Sequence, residues 1–444
     1  MKKEEYTLHI QSLIYTLSSN ALLFYVSVVM MFSYFYNLPL LSYGFESSYE
    51  LRIYDVCGIF FLYFHIVNKP IISYIIHNIM PNRWFWYFFK WASITLLLTL
   101  YFSIYFSKIL SFIQTLLYLY HLYIFFISSV FIYLICLQKN KLETYIKIIC
   151  VFSILTSLIV IIQNFGMIPF LWNDSYKQSY QEFLSGTLGP NKIVLGMTSL
   201  FMFIFSLSVY IEKKMKVNSI LVLLTLLLSF YALIISGSRT SYVGLLIFLS
   251  YFAFNNFGRF IYLSVVFFSI SFCVILINGD LYNKVEKVIN GRVINKVKNK
   301  DALSKAKVGQ LYEDLGAGRK ELSEQNALFL IENPIVIPFG LGFNNKLISV
   351  YGSSAHNMYI QVIKELGIVG FILYFGWLIQ YLFVTFEEKK GFSTGLKGLV
   401  IAMLVTAYFG EQLYIYRALF GLLGLFFLIT SLFFSILHKE HFRK

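Results

Sequence analysis

His356 ends the one long polar stretch of an otherwise apolar chain. It lies in SSAHNMYIQVIKELGIVG (353–370), which runs straight on into an apolar span. A histidine titrates near neutral pH and can take a proton from an attacking hydroxyl. A plainer role, a hydrogen bond tying the loop to the helices, fits the same position. Arg239 lies in SGSRTS (236–241), a few residues between two apolar runs. Its charge therefore sits close to a membrane boundary, where an ionised side chain is costly and is usually paired or functional. Snorkelling to the interface is the simpler alternative. The hydroxyls of Ser236, Ser238, Thr240 and Ser241 crowd around the arginine and suggest a nest for an oxyanion. Asn191 and Lys192 follow the turn SGTLGPN and open another apolar run; the free N–H groups and dipole of a helix start favour anions. Arg417, in EQLYIYR, is a weaker cationic candidate. Glu365 is about two and a half helical turns from His356, so direct contact is not expected in a continuous helix. It can pair with Lys364, orient His356 or sit at the interface; a structural role is the favoured reading.

These residues need elements to hold them. The chain has 444 residues, 58% hydrophobic and only 13% charged, with mean hydropathy +0.70. A soluble domain carries about a quarter charged residues. Apolar runs of about 20 residues, the length that crosses a bilayer, recur along the chain. The expected fold is therefore all-α, a polytopic membrane protein, because lipid offers backbone groups no partner. The runs do not alternate as the strands of a membrane barrel do. Hydropathy places about twelve spans, at 13–36, 51–68, 86–107, 112–137, 145–165, 192–211, 219–236, 240–256, 260–278, 366–386, 394–410 and 416–437.

Net charge is +14. The positive-inside rule explains it more simply than nucleic acid does. With the amino end in the cytoplasm, lysines and arginines such as Lys69, Lys139, Lys141, Lys213, Lys214, Lys216, Lys389 and Lys390 gather on the cytoplasmic side. The short outer connections hold few, among them Arg52, Lys108 and Arg239. Both termini are then cytoplasmic, MKKEEY reading as the start of a signal anchor. Residues 1–278 form the first nine spans, 279–357 one large extracytoplasmic loop, and 358–444 the last three spans. The basic segment 284–307 is either a solvated helix on anionic headgroups or a guide for an acidic polymer. RKELSEQNALFLIEN predicts a short helix that buries Ala327, Leu328 and Leu330 and stops at Pro334. FGLGFNN is a glycine-rich turn without the βαβ context of a dinucleotide loop. The cysteines Cys57, Cys136, Cys150 and Cys273 lie in apolar segments without metal-like spacing and are expected in the core. His65 and His121 fall within spans and are expected to be hydrogen-bonded core residues.

The combination of GTLGPN before the sixth span, SGSRTS after the seventh, and a large loop carrying Arg319, ENP, FGLGFNN and AHNMYIQVIKELGIVG resembles the bacterial O-antigen polymerase and O-antigen ligase superfamily. The pattern NP, G-x-G, then HN followed by E-x-G-I-x-G is its most specific part. The resemblance covers the second half of the chain; the first five spans match only in hydropathy and in the polar RIYD before the second span. The helix after Arg319 lacks the tryptophan often found there.

The resemblance implies a glycosyltransferase of the cytoplasmic membrane that uses no metal and no cofactor. Its donor would be an oligosaccharide on undecaprenyl pyrophosphate. His356 resembles the family's essential loop histidine, and Arg239 and Arg319 resemble its phosphate-binding arginines. Asn357, Glu365 and the glycines look structural. The chemistry fits these types. Breaking a sugar–pyrophosphate bond liberates an anion, and arginine meets phosphate oxygens with two parallel hydrogen bonds. His356 would take the proton of the acceptor hydroxyl, and attack opposite the leaving group predicts inversion. The expected partners are the lipid-linked oligosaccharide, membrane lipids and, from the same assembly, a chain-length regulator and a flippase; nucleic acid is not expected. Three functions remain open. The first is a polymerase of lipid-linked repeat units, for O-antigen or capsule. The second is a ligase that transfers finished chains to a lipid core. The third is a flippase or other transporter, which the absence of an internal repeat and the one-sided polar features disfavour.

Overall fold

A computed structural model describes residues 15–42, 50–78, 82–169, 171, 184, 186–189, 192–212, 217–262, 264–265, 319–345, 355–384, 390–410, 412–414 and 420–438. Most of the large loop, the basic segment 284–307, Asn191, Arg417 and most of the expected ninth span lie outside the described residues. The elements run in order: α1 (Ala21–Phe35), β1 (Leu41–Ser42), β2 (Glu50–Leu51), α2 (Ile53–Val67), α3 (Lys69–Asn78), α4 (Arg83–Tyr105), α5 (Ile109–Cys136), α6 (Lys139–Asn164), α7 (Lys192–Glu212), α8 (Ser219–Ile235), α9 (Arg239–Asn255), α10 (Arg319–Glu332), α11 (Val336–Phe339), α12 (Met358–Gln380), α13 (Lys390–Thr406) and α14 (Phe420–His438). The two strands form a short antiparallel pair between α1 and α2.

The protein is a helical, multi-pass membrane protein. Among the described residues, 6 helices are long and apolar enough to cross a membrane, or 7 if the bent pair α2–α3 is one span. The pair turns by 94°, at Asn68, so the expected second span, 51–68, is α2 alone, and a sharply redirected helix follows it. Helices α1, α8 and the apolar part of α14 are shorter. Helix length and composition among the described residues thus support 6 or 7 of the about twelve expected crossings.

Helices begin where a side chain can satisfy the free N–H groups of the first turn. Asn20 caps α1 through Leu23 N, and Asn218 caps α8 through Ile220 N. Helices α5, α7 and α14 are buried along most of their length, and α14 packs on both of the others. Helix α4 instead exposes Ile94, Leu97 and Tyr101 on the outside of the bundle while Phe85, Phe88 and Ala92 are buried. Helix α12 starts eight residues before the hydropathy run that announced it, because Asn357 caps it. Cys57, Cys136 and Cys150 are buried thiols. His65 Nδ1 bonds the Tyr123 hydroxyl, as expected of a hydrogen-bonded histidine.

Candidate active site

The candidate site is built on a break in α12. Gly367 has φ 66° inside that helix. The carbonyls of Lys364 and Glu365 therefore lose the helical partners that an unbroken α12 would give them. The glycine-rich turn supplies replacements: Leu341 N donates to Lys364 O and Gly342 N to Glu365 O, both at 2.9 Å. Trp91 Nε1 of α4 donates to Leu366 O at 2.8 Å. The far side of the turn is held by α4 and α5, with Thr99 Oγ1 donating to Phe343 O and Asn344 Nδ2 to Thr115 Oγ1. FGLGFNN is thus a clamp on the broken helix.

His356 stands at the start of α12, partly exposed, with φ 49°. Left-handed backbone is uncommon for a residue with a Cβ. The chain on both sides is pinned. Asn357 Oδ1 accepts from Tyr359 N at 3.0 Å and Ile360 N at 3.4 Å, so this side chain is occupied in capping. Ala355 N donates to Gln361 Oε1 at 3.0 Å. Gln361 Nε2 in turn donates to Glu365 Oε1 at 2.5 Å. The other carboxylate oxygen of Glu365 accepts from Asn344 N at 2.9 Å and from the Tyr414 hydroxyl at 3.2 Å. Burial, and next the Glu365 carboxylate, push the Tyr414 phenol well above its ordinary value; it stays protonated and donates. Lys364 Nζ reaches Asn326 Oδ1 of α10 at 2.7 Å.

Arg239 is the first residue of α9, half-buried. Of the four hydroxyls that suggested a nest, those of Ser236, Ser238 and Ser241 are engaged within the turn itself. Ser236 Oγ donates to Leu233 O and accepts from Ser238 N. Ser238 Oγ caps α9 by accepting from Ser241 N, and also accepts from Ser241 Oγ at 2.9 Å. Ser236, Ser238, Thr240 and Ser241 are all buried. The reason is packing: the turn lies against Gly196 of α7, where a Cβ would meet Ser241 Oγ at 2.4 Å and Ser238 Cβ at 2.8 Å. Ser236, Ser238 and Ser241 build the turn that presents Arg239.

The arginine turn and the histidine junction flank the same helix end. Tyr359, in the first turn of α12, donates to Leu404 O near the end of α13 at 2.7 Å. On the other side, a Cβ at Gly244 of α9 would stand 3.3 Å from Thr406 Cγ2. The backbone of Arg319 opens α10. That helix packs on α12 through Asn326 and Leu330, while Leu328 is 54% exposed. The expectation that Leu328 is buried is therefore wrong: Asn326 and Leu330 share one face, four residues apart, and Leu328 points away from it.

The turn before α7 joins the same end. Asn37 N donates to Thr187 O, and Asn37 Nδ2 to Leu188 O. Arg52 Nη1 donates to Asn37 Oδ1 at 3.0 Å. Asp55 accepts from Arg52 N at 2.8 Å and pairs with His121 Nε2 at 2.5 Å. RIYD is thus a buried polar chain linking the turn 186–189 to α2 and α5. His121 is a hydrogen-bonded core residue, as expected.

Sequence reasoning missed Gln361, Asn344 and Tyr414; Glu365 reaches the His356 junction only through Gln361. One signal was present. Asn357, Gln361 and Glu365 recur every fourth residue and share one helix face. Residues 224–375 match the family model described as O-antigen ligase, a stretch from α8 through most of α12. No curated protein matches the chain.

Proposed function

We propose that this member of the O-antigen polymerase and ligase superfamily, a membrane enzyme of the glycosyltransferase kind, is a polysaccharide polymerase. It joins undecaprenyl-pyrophosphate-linked oligosaccharide repeat units on the outer side of the cytoplasmic membrane, with both termini inside. The observation that carries the reading is that Arg239 and His356, far apart in sequence, belong to elements flanking the same end of α13. A fixed cation and a proton acceptor at one helix end suit cleavage of a sugar–pyrophosphate bond.

In this mechanism an acceptor hydroxyl attacks the anomeric carbon. Its oxygen forms the new glycosidic bond, the bond to the pyrophosphate oxygen breaks, and the proton goes to His356. General-base help of this kind contributes about 10²–10⁴-fold. Arg239, Arg319 and Arg417 meet the charge that develops on the leaving pyrophosphate; one such donor is worth about 3–4 kcal/mol. Ser238 and Thr240 support Arg239 through the turn, and Asn357 supports His356 through the cap. The acceptor attacks from the face opposite the leaving group, so the anomeric configuration inverts.

The family model's description favours a second reading, transfer of a finished chain to a lipid core acceptor. The composition, heavy in Lys, Ile, Asn, Phe and Tyr, suits an AT-rich sugar-assembly locus and favours the polymerase. Reconstitution in vesicles with a synthetic pyrophosphate-linked repeat unit separates them. A ladder of products is expected. Transfer only to a core acceptor means a ligase, and unmodified donor in the opposite leaflet means a transporter. His356→Ala and Arg239→Ala should each abolish the ladder at normal protein levels, and Arg239→Lys should remain poor because the two-pronged donor is lost.

A further inference from the structure

Glu365 is 1% exposed, yet it is not paired away inside one helix. Its carboxylate takes donors from three segments: Asn344 N of the glycine-rich turn, the Tyr414 hydroxyl of the α13–α14 connection, and Gln361 of its own helix. A buried charge is poor value for stability alone, since apolar replacements are often neutral or better. Its geometry has a direction, however. With Nε2 donating to Glu365, the amide of Gln361 is oriented so that Oε1 faces the loop and accepts the N–H of Ala355. Were position 365 to offer a donor, that amide would turn over and set its own NH₂ against the Ala355 N–H. The charge on Glu365 therefore fixes the backbone on one side of His356, and the Asn357 cap fixes it on the other. Between them His356 keeps its left-handed φ of 49°.

We propose that Gln361 and Glu365 are positioning residues for His356, a buried relay that aims the imidazole by holding the Ala355–His356 backbone. This rests on His356 being the proton acceptor of the proposed reaction. Misplacing a reacting group by about 1 Å costs on the order of 10²-fold in rate. The relay also makes a specific demand: one carboxylate and one amide, in either order. A glutamate at 361 can accept from both Ala355 N and an amide at 365, whose own oxygen still faces Asn344 N and Tyr414.

The test uses the full-length protein in vesicles with the pyrophosphate-linked repeat unit, reading kcat, KM and the unfolding midpoint. Glu365→Gln and Gln361→Ala should each lower kcat by about 10- to 100-fold with KM for the donor unchanged. The exchange Gln361→Glu with Glu365→Gln should restore kcat to within a few-fold of wild type. A role in stability alone moves the midpoint and the yield and leaves kcat intact. If His356→Ala is inactive while both single variants keep wild-type kcat, the relay is overturned and the catalytic reading stands. If the exchange variant folds with an unchanged midpoint yet stays as slow as Glu365→Gln, the relay is also overturned. If His356→Ala keeps wild-type activity, the catalytic reading falls and the relay with it. Should Glu365→Gln fail to fold, Gln361→Ala decides: wild-type kcat overturns the relay, and a loss at constant KM upholds it.

Discussion

Replacing Gly340 by alanine tests the clamp that shapes the candidate site. Gly340 has φ 77° and Gly367 φ 66°, and each faces the backbone of the other's segment. A Cβ at 340 would meet Glu365 O at 2.2 Å and Leu366 N at 2.5 Å; a Cβ at 367 would meet Pro338 O at 2.3 Å. Those atoms are backbone, so no rotamer change relieves the contact. Left-handed geometry costs a residue with a Cβ about 1–2 kcal/mol. Separation of the two segments also forfeits the hydrogen bonds of Leu341 and Gly342 to the α12 carbonyls, about 1 kcal/mol each. The sum is about 3–4 kcal/mol. Gly166 is the control: its φ is 76° and nothing lies within 4 Å of the added Cβ, so Gly166→Ala should cost only the conformational part, about 1–2 kcal/mol. The assay is denaturant unfolding in mixed micelles, with hydrogen exchange at Leu341 and Gly342 read by mass spectrometry. A Gly340→Ala protein within ~0.5 kcal/mol of Gly166→Ala, with both amides still protected, would refute the clamp.

Other outcomes follow from single contacts. Removing Asp55 alone (Asp55→Ala) should destabilise by about 3–5 kcal/mol, because it leaves His121 and the Arg52 region buried without their acceptor. Adding His121→Ala should cost markedly less than the sum of the two, as a double-mutant cycle of unfolding free energies will read. Tyr414→Phe removes a donor to a buried carboxylate and should cost about 1.5–3 kcal/mol. Because the phenol is held well above its ordinary value, it is protonated in folded and unfolded chains alike below about pH 9, so that cost should be flat from about pH 6 to 9. On α10, Leu330→Ser should lower the unfolding midpoint, whereas Leu328→Ser, on the exposed face, should shift it little.

The helices were legible because a bilayer demands long apolar runs, and the runs are uninterrupted in α4 to α7. What composition hides is direction. Hydropathy closes the second span at 68, where α2 ends, but it cannot see that the chain goes on at once as a second helix, α3, turned by 94°. Nor does the hydropathy run, which opens at 366, show α12 beginning at Met358, since Gln361, Lys364 and Glu365 are polar. They are helical because the residues they face, Ala355, Asn326 and Asn344, come from segments distant in hydropathy and close in space. The same blindness misled the reading of SGSRTS. Four hydroxyls beside an arginine look like a ligand site in one dimension, and three dimensions show the serines closing a turn against Gly196.

That packing bears on how Arg239 is held at the start of α9. A turn whose hydroxyls were free for a ligand would be loose until the ligand arrived. Here Ser236, Ser238 and Ser241 already satisfy the turn and cap α9, so Arg239 is presented on a rigid base. The His356 junction follows the same rule, with Asn357 and Gln361 occupied in fixing backbone. Catalytic groups that keep their geometry without substrate lose less on reaching the transition state. In both places the neighbouring polar side chains serve the backbone.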